Sequence, residues 1–254
     1  MTIAACAELV ARGDPDRFRA AMAAPVSARR VLFPLYAFNL EVARAPYASE
    51  EPVIREMRLQ WWDDALEEIA AGGPVRRHEV ASPLAEAVSA EGAEALRILV
   101  KARRRDTDRT PFADDSELAG YLDATGGTLV TVAANALGAA PGPVCRAFGT
   151  AMALAAWLRA VPELEARGWV PLPDPRPQAV AALAREGLAR LAAARARRGE
   201  VSPPARAAFL AGWRSGAVLR AAARAPERVA AGALEESPIR QRAGLMFRAL
   251  TRRF

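Results

Sequence analysis

A chain of 254 residues, 52% hydrophobic and 25% charged, is long enough to bury a sizeable core and too apolar to be a disordered protein. Its net charge of +6 and pI near 10.2 come from arginine, since Lys101 is the only lysine, and they leave diphosphates, an anionic membrane face and nucleic acid as partners to weigh. Cys6 and Cys145, far apart in sequence, exclude a disulfide framework and a zinc site, so a reducing cytoplasm is the expected compartment.

The N-terminus lacks the pattern of a secretory signal, and no run of about 18 apolar residues marks a membrane span. Residues 1–25 predict two short helices, with Asp14, Pro15 and Pro25 bracketing the second. From Ser27, the residues Val31, Leu35, Phe38 and Val42 recur at helical spacing through a bend at Pro34. A helix from Glu50 to Gly72-Gly73 is predicted to turn Ile54, Met57, Trp61, Ala65 and Ile69 inward. Trp61 and Trp62 are read as core packing before ligand contact. The same helix carries Asp63, Asp64 and Glu67, a DDxxE pattern whose carboxylates face one another and are able to share Mg²⁺. With no second carboxylate cluster to face it, a solvated acidic surface paired to Arg58 and neighbouring arginines is the simpler reading. His78 falls in a loop and is expected at the surface. The basic run from Lys101 to Arg105 suits a helix C-terminus, and without interleaved aromatics it does not read as a nucleic-acid interface.

Leu118, Leu122, Thr125, Leu129, Val132 and Ala136 hold helical spacing through Gly126 and Gly127. Two glycines inside a helix cost about 2 kcal/mol relative to alanine, which close approach of another helix or of a ligand would offset. Asp123, beside them, reads as a lone surface acid. Pro143 opens a helix in which Phe148, Met152, Ala155 and Leu158 or Arg159 recur. It is expected to end near Pro162, and its apolar residues on every side place it in the middle of a bundle. The next helix stops at Gly199, and Ser202-Pro203 opens another with Phe209, Trp213 and Ala217 inward. The last segment sets Ile239, Ala243, Met246, Phe247, Leu250 and Phe254 on one side, with Arg240, Arg242, Arg248, Arg252 and Arg253 largely elsewhere. Such a stripe is read first as closing the bundle and second as lying on an anionic membrane. With no strand-like alternation, phosphate loop, zinc spacing or internal repeat, the chain reads as an all-α single domain over residues 1–254.

The stretch from Phe148 to Pro173 resembles the squalene/phytoene synthase family, whose segment runs close to LGxAxQLTNILRDVxEDxxRGRxYLP. Gly149, Ala151, Leu158, Arg159, Glu163, Arg167, Gly168, Leu172 and Pro173 match it without a gap. The family's Gln, Thr and Asn fall on Ala153, Ala155 and Ala156, and its two metal-binding Asp positions fall on Ala160 and Leu164. A second match, to the family's YAFCR segment and the metal-binding DxxxD two residues beyond it, keeps Tyr36, Ala37 and Phe38 and sets that DxxxD on Ala43 and Tyr47. The resemblance, in matching order from Phe18 to Phe254, implies an isoprenoid-synthase-like bundle and head-to-head condensation of prenyl diphosphates, with Mg²⁺ stabilising the leaving diphosphate.

None of the four metal positions carries a carboxylate here, so the resemblance implies a catalytically inactive relative without a metal cofactor. Tyr36, Trp61, Gly126, Gly127, Arg159, Glu163 and Arg167 are then the candidate residual pocket or anion-binding residues. Within the family, this loss and the segments LYAFN, RLQWW and YLDATGG look most like bacterial relatives of the mitochondrial phytoene-synthase-like assembly factor for respiratory complex I. That likeness implies partners among membrane-complex subunits or assembly proteins and no nucleic acid. It leaves a prenyl lipid and an anionic membrane as ligands, and a cytoplasmic location at the inner face of the membrane. The alternative is an active transferase of farnesyl or geranylgeranyl diphosphate whose Mg²⁺ ligands have moved to Asp63, Asp64 and Glu67.

Overall fold

Apolar residues spaced three and four apart form helices along nearly the whole chain, and the computed structural model describes residues 2–251 and 254. In chain order these are α1 (Ile3–Gly13), α2 (Pro15–Ala23), α3 (Arg29–Arg44), α4 (Pro52–Ala70), α5 (Ala81–Ala87), α6 (Ala90–Arg103), α7 (Arg105–Asp108) and α8 (Asp115–Leu122). A π-helical turn at Asp123–Gly127 leads into α9 (Thr128–Leu137), followed by α10 (Gly142–Ala166) and α11 (Pro177–Ala196). Then come α12 (Arg206–Phe209), α13 (Ser215–Arg224), α14 (Glu227–Ala230) and α15 (Pro238–Thr251). The fold is all-α, with no strand among the described residues. Several starts are set by side-chain caps: Asp14 accepts from the Arg17 N–H at 3.0 Å, Ser89 from Gly92 at 3.2 Å and Asp114 from Glu117 at 2.8 Å.

The centre of the bundle is α10, packed against α9, α11, α13 and the π-turn. By length and composition α10 is apolar enough to cross a membrane, a property not expected from the sequence, yet 67% of that stretch is buried inside the protein. Pro162 does not end it. The missing N–H removes one bond to Leu158, but the helix continues to Ala166 and closes through Gly168, which takes φ +79°, with the Trp169 N–H on the Leu164 carbonyl at 3.0 Å.

Gly126 and Gly127 lie in the π-turn, where α10 approaches closely. A Cβ on Gly126 would sit 2.5 Å from that of Ala153 and 2.6 Å from the Gly149 carbonyl oxygen, and one on Gly149 would strike the Gly126 backbone. Backbone-to-backbone contact is thus what the glycine pair permits. Asp123 is no lone surface acid: it accepts from Arg146 Nε at 3.0 Å and from Thr150 Oγ1 at 3.1 Å, tying the turn to α10.

Three other expectations are corrected. In α4 the buried stripe is Leu59, Trp62, Ala65, Leu66 and Ile69, while Ile54 and Met57 are exposed; Trp62 meets Phe38 edge-on at 5.2 Å and sets the rotation of the helix. Ser202-Pro203 opens a turn rather than a long helix, and 206–224 divides into α12, a 3₁₀ turn at Leu210–Gly212 and α13. Gly212 lies there against the Phe148 ring, where a Cβ would come within 2.5 Å of it. The α15 stripe does not close the bundle: Ile239, Met246, Phe247 and Leu250 are exposed, while among the described residues Leu245 and the following Phe254 pack on the core. Arg252 and Arg253 lie outside the described residues.

Candidate functional site

Where α3, α4, α6, α8, α10 and the π-turn meet, they line an open cavity of about 820 Å³. Its floor and walls are small or aromatic: Ala43, Ala153, Ala156 and Ala160 beside Tyr47, Tyr121 and Trp157. Trp157 is fixed by its Nε1–H on the Pro171 carbonyl at 2.9 Å and by edge contacts with Tyr121 and Phe112. Five arginines, Arg17, Arg44, Arg58, Arg103 and Arg167, share the lining with three acids, Asp14, Glu41 and Glu163. Two of those acids are already engaged, Asp14 with Arg17 at 2.9 Å and Glu163 with Arg167 at 2.6 Å. The cavity is therefore cationic as well as apolar.

One wall is a buried polar triangle. Arg103 Nη1 donates to Asp106 Oδ2 at 3.0 Å and to the Tyr121 hydroxyl oxygen at 2.6 Å, and Tyr121 donates in turn to Asp106 Oδ2 at 2.8 Å. Burial raises the Asp106 pKa above the ordinary carboxylate value, although the Arg103 charge and the Tyr121 hydrogen bond oppose the shift. Tyr121 is held well above the ordinary phenol value by burial. Also in the lining, Tyr47 stacks on Trp169 with ring centroids 5.6 Å apart, and the Arg167 guanidinium lies 4.9 Å from the Tyr47 ring centroid. Desolvation pushes the Tyr47 phenol up to about 12, so it stays neutral.

Comparison with known proteins gives this geometry a lineage. The sequence profile described as squalene/phytoene synthase matches residues 10–243. The chain belongs to that family. Among solved structures, squalene/phytoene synthase relatives share the fold. A dehydrosqualene synthase bound to a ligand superposes with a TM-score of 0.79 at 15% identity, covering 98% of this chain and 95% of that one. A squalene synthase from Alicyclobacillus acidocaldarius gives a TM-score of 0.72 at 17% identity, over 87% and 93% of the two chains. Among curated proteins, complex I assembly factor 6 of Mus musculus is 28% identical over 173 residues, which is 66% of this chain and 52% of that protein. The human protein is 28% identical over 135 residues, covering 52% and 40% of the two chains, and the Drosophila melanogaster homologue 31% over 132 residues, covering 49% and 39%. The chain spans about half the length, or less, of the curated relatives it matches.

Ala43, Tyr47, Ala160 and Leu164, the positions expected from the sequence to take the place of metal ligands, all line the one cavity, as do Ala153 and Ala156. Magnesium ions that grip a diphosphate need several carboxylates from facing helices. Here Ala43, Tyr47, Ala160 and Leu164 offer methyl groups, a phenol and a leucine side chain, the lining carboxylates are Asp14, Glu41 and Glu163, and among the described residues no three Asp, Glu, His or Cys side chains gather as a ligand set.

The other candidates divide. Gly126, Glu163 and Arg167 line the cavity. Gly127 supports the π-turn behind it. Tyr36 is buried, with its pKa raised chiefly by desolvation and its hydroxyl without a partner, and it is not among the cavity-lining residues. Trp61 stands elsewhere, 4.9 Å from Trp62 and 4.7 Å from His78, with Arg76 over its ring. His78 is half-buried rather than a plain surface residue, and its Nδ1 accepts from the Val80 N–H at 3.2 Å at the start of α5. Arg159 faces away, bonding Asp16 at 3.2 Å and Glu235 at 2.9 Å in a network shared with Arg214.

Asp63, Asp64 and Glu67 do not reach the cavity. Asp63 binds Arg97 at 2.8 Å, Glu67 lies 3.6 Å from the same arginine, and Asp64 accepts from Gln60 at 2.6 Å. Arg58, expected to pair with these acids, lines the cavity instead. The basic run is likewise consumed internally: Arg103 by Asp106, Arg104 by Glu56 and Arg105 by Glu117. Sequence reading passed over Arg103, Asp106 and Tyr121. The i, i+3 spacing of Arg103 and Asp106 was a usable signal, whereas nothing local pointed to Tyr121 as their third member.

Proposed function

We propose that this chain is a non-catalytic squalene/phytoene synthase-like protein that acts in the assembly of a membrane complex, complex I being the complex for which its curated relatives are named. The observation that carries the reading is the cavity wall of Ala43, Tyr47, Ala160 and Leu164. Ionisation of an allylic diphosphate builds charge on the leaving group, and the stabilising term comes from metal ions held by carboxylates. Ala43, Tyr47, Ala160 and Leu164 supply no carboxylate for that, and the acids that line the cavity, Asp14, Glu41 and Glu163, do not gather as a ligand set. The cavity's alanines and aromatic rings suit an isoprenoid chain, and Arg44 and Arg58 offer charge to its anionic end, so binding of a prenyl lipid without turnover accompanies the assembly role.

The test has two arms. Purified protein incubated with farnesyl or geranylgeranyl diphosphate and Mg²⁺ is expected to release no diphosphate above buffer; release that Asp64→Ala abolishes would mean a relocated metal site and overturn the non-catalytic reading. Deletion of the gene in its host is expected to deplete assembled complex I on native gels of membranes, with rescue by wild-type protein and by Asp64→Ala alike. Complex I at wild-type level in the deletion strain would sink the assembly role.

A further inference from the structure

The C-terminal helix α15 lies on the bundle with its apolar face outward. Ile239 and Leu250 are each 80% exposed, Met246 63% and Phe247 57%. With Ala243 they recur at three and four positions, so they share one face. The opposite face is what holds the helix down: Gln241 donates to the Glu236 carbonyl at 2.8 Å, Arg248 Nε donates to the Trp213 carbonyl at 3.1 Å, and Leu245 packs on the core. Helical geometry sets Arg242 along one edge of the exposed stripe and Arg240 along the other, and α15 contains no Asp or Glu. The adjoining surface adds Arg220, Arg224 and Arg228 around a groove that also meets Arg240; its acids are Glu235 and Glu236, and Glu235 is already paired with Arg159 and Arg214.

We propose that α15 is an interfacial helix that lies on an anionic bilayer, with Ile239, Met246, Phe247 and Leu250 in the acyl boundary and Arg240 and Arg242 at the headgroup phosphates. Charge selects this occupant. Two copies of α15 packed stripe to stripe would bring their arginine edges together with no acid on either helix to pair them. A bilayer of acidic lipids supplies apolar depth and negative charge at once, which is what a stripe edged by arginine on both sides requires. The inference is independent of the assembly role, because it concerns neither the cavity nor the complex.

The experiment is flotation of the full chain with vesicles of phosphatidylcholine alone or of equal parts phosphatidylcholine and phosphatidylglycerol. Wild-type protein is compared with Ile239→Ser/Leu250→Ser, with Arg240→Glu/Arg242→Glu, and with Met57→Ser, an exposed apolar residue on α4 that serves as the control. All the substituted side chains are exposed, and circular dichroism checks that each variant keeps its helix content. Wild-type and Met57→Ser proteins are expected to float with the anionic vesicles and at least about tenfold more weakly with the neutral ones, while each α15 pair lowers anionic binding by about tenfold or more. Added salt is expected to weaken wild-type binding. The proposal is overturned if wild-type protein stays in solution with anionic vesicles or if the α15 variants float as wild type does. It is also overturned if sedimentation without lipid shows a dimer that Ile239→Ser/Leu250→Ser dissociates, since the stripe would then be a self-interface.

Discussion

Arg103 is a charge largely withdrawn from water, 18% exposed, and its stability rests on two neighbours. Asp106 and Tyr121 both reach its Nη1, while its buried Nε has no partner, so the site has no spare hydrogen bond to lose. Removing one member of a buried ion pair leaves the other unpaired and typically costs about 3–5 kcal/mol, whereas losing a neutral hydroxyl costs about 1 kcal/mol. Asp106→Ala is therefore expected to lower the unfolding free energy by about 3 kcal/mol in urea melts, and Tyr121→Phe by about 1 kcal/mol. Equal, small losses for the two variants would show that water in the cavity solvates Arg103 and that the triangle is not closed.

At the level of elements, the tightest joint is the π-turn against α10. A Cβ on Gly149 would enter the Gly126 backbone, which cannot swing aside as a side chain does, whereas one on Gly73 meets nothing within 4 Å. Gly149→Ala is expected to destabilise by about 1–3 kcal/mol through overpacking, with Gly73→Ala neutral or slightly stabilising; equal effects would remove the close approach as the reason for the glycine pair. The existence of that joint was legible in the sequence, because two glycines inside a helical pattern demand compensation. So were the helices themselves and the family frame, which brought Ala43, Tyr47, Ala160 and Leu164 to one cavity. What escaped was rotation and continuity. In α4 two overlapping stripes have nearly the same period, and Trp62 against Phe38 decides between them through a residue far away in the chain. Pro162 is locally a terminator, yet tertiary burial of Leu164 and Trp169 carries α10 past it. Periodicity also reports that α15 has an apolar face without saying whether that face is turned to the core or to solvent.

Across the whole molecule, the groups that ionise at high pH are mostly buried and held neutral. All three tyrosines have raised pKa values, and desolvation leads in each case: Tyr47 is taken up to about 12 from the ordinary 10.0, and Tyr36 and Tyr121 are raised as well. Both cysteines are raised to about 11 from 9.0, also led by burial, and both are free thiols. A group whose pKa is higher folded than unfolded binds its proton more tightly in the native state, so its contribution is complete below the unfolded value and is lost as pH climbs through the folded one. The window here runs from about 9 for the thiols to about 12 for Tyr47. In a lysine-rich protein the ammonium groups would titrate over the same range and obscure the effect, but Lys101 is the only lysine. Stability is therefore expected to fall steeply with rising pH across that window. Near-ultraviolet absorbance is expected to show tyrosinate together with the loss of helix measured by circular dichroism, rather than before it. A tyrosine that titrates reversibly near 10.0 while the helices persist would place a phenol in contact with water. Tyr47 and Tyr121 line the cavity, so that result would place water against one of its phenols and remove the desolvation that keeps it neutral.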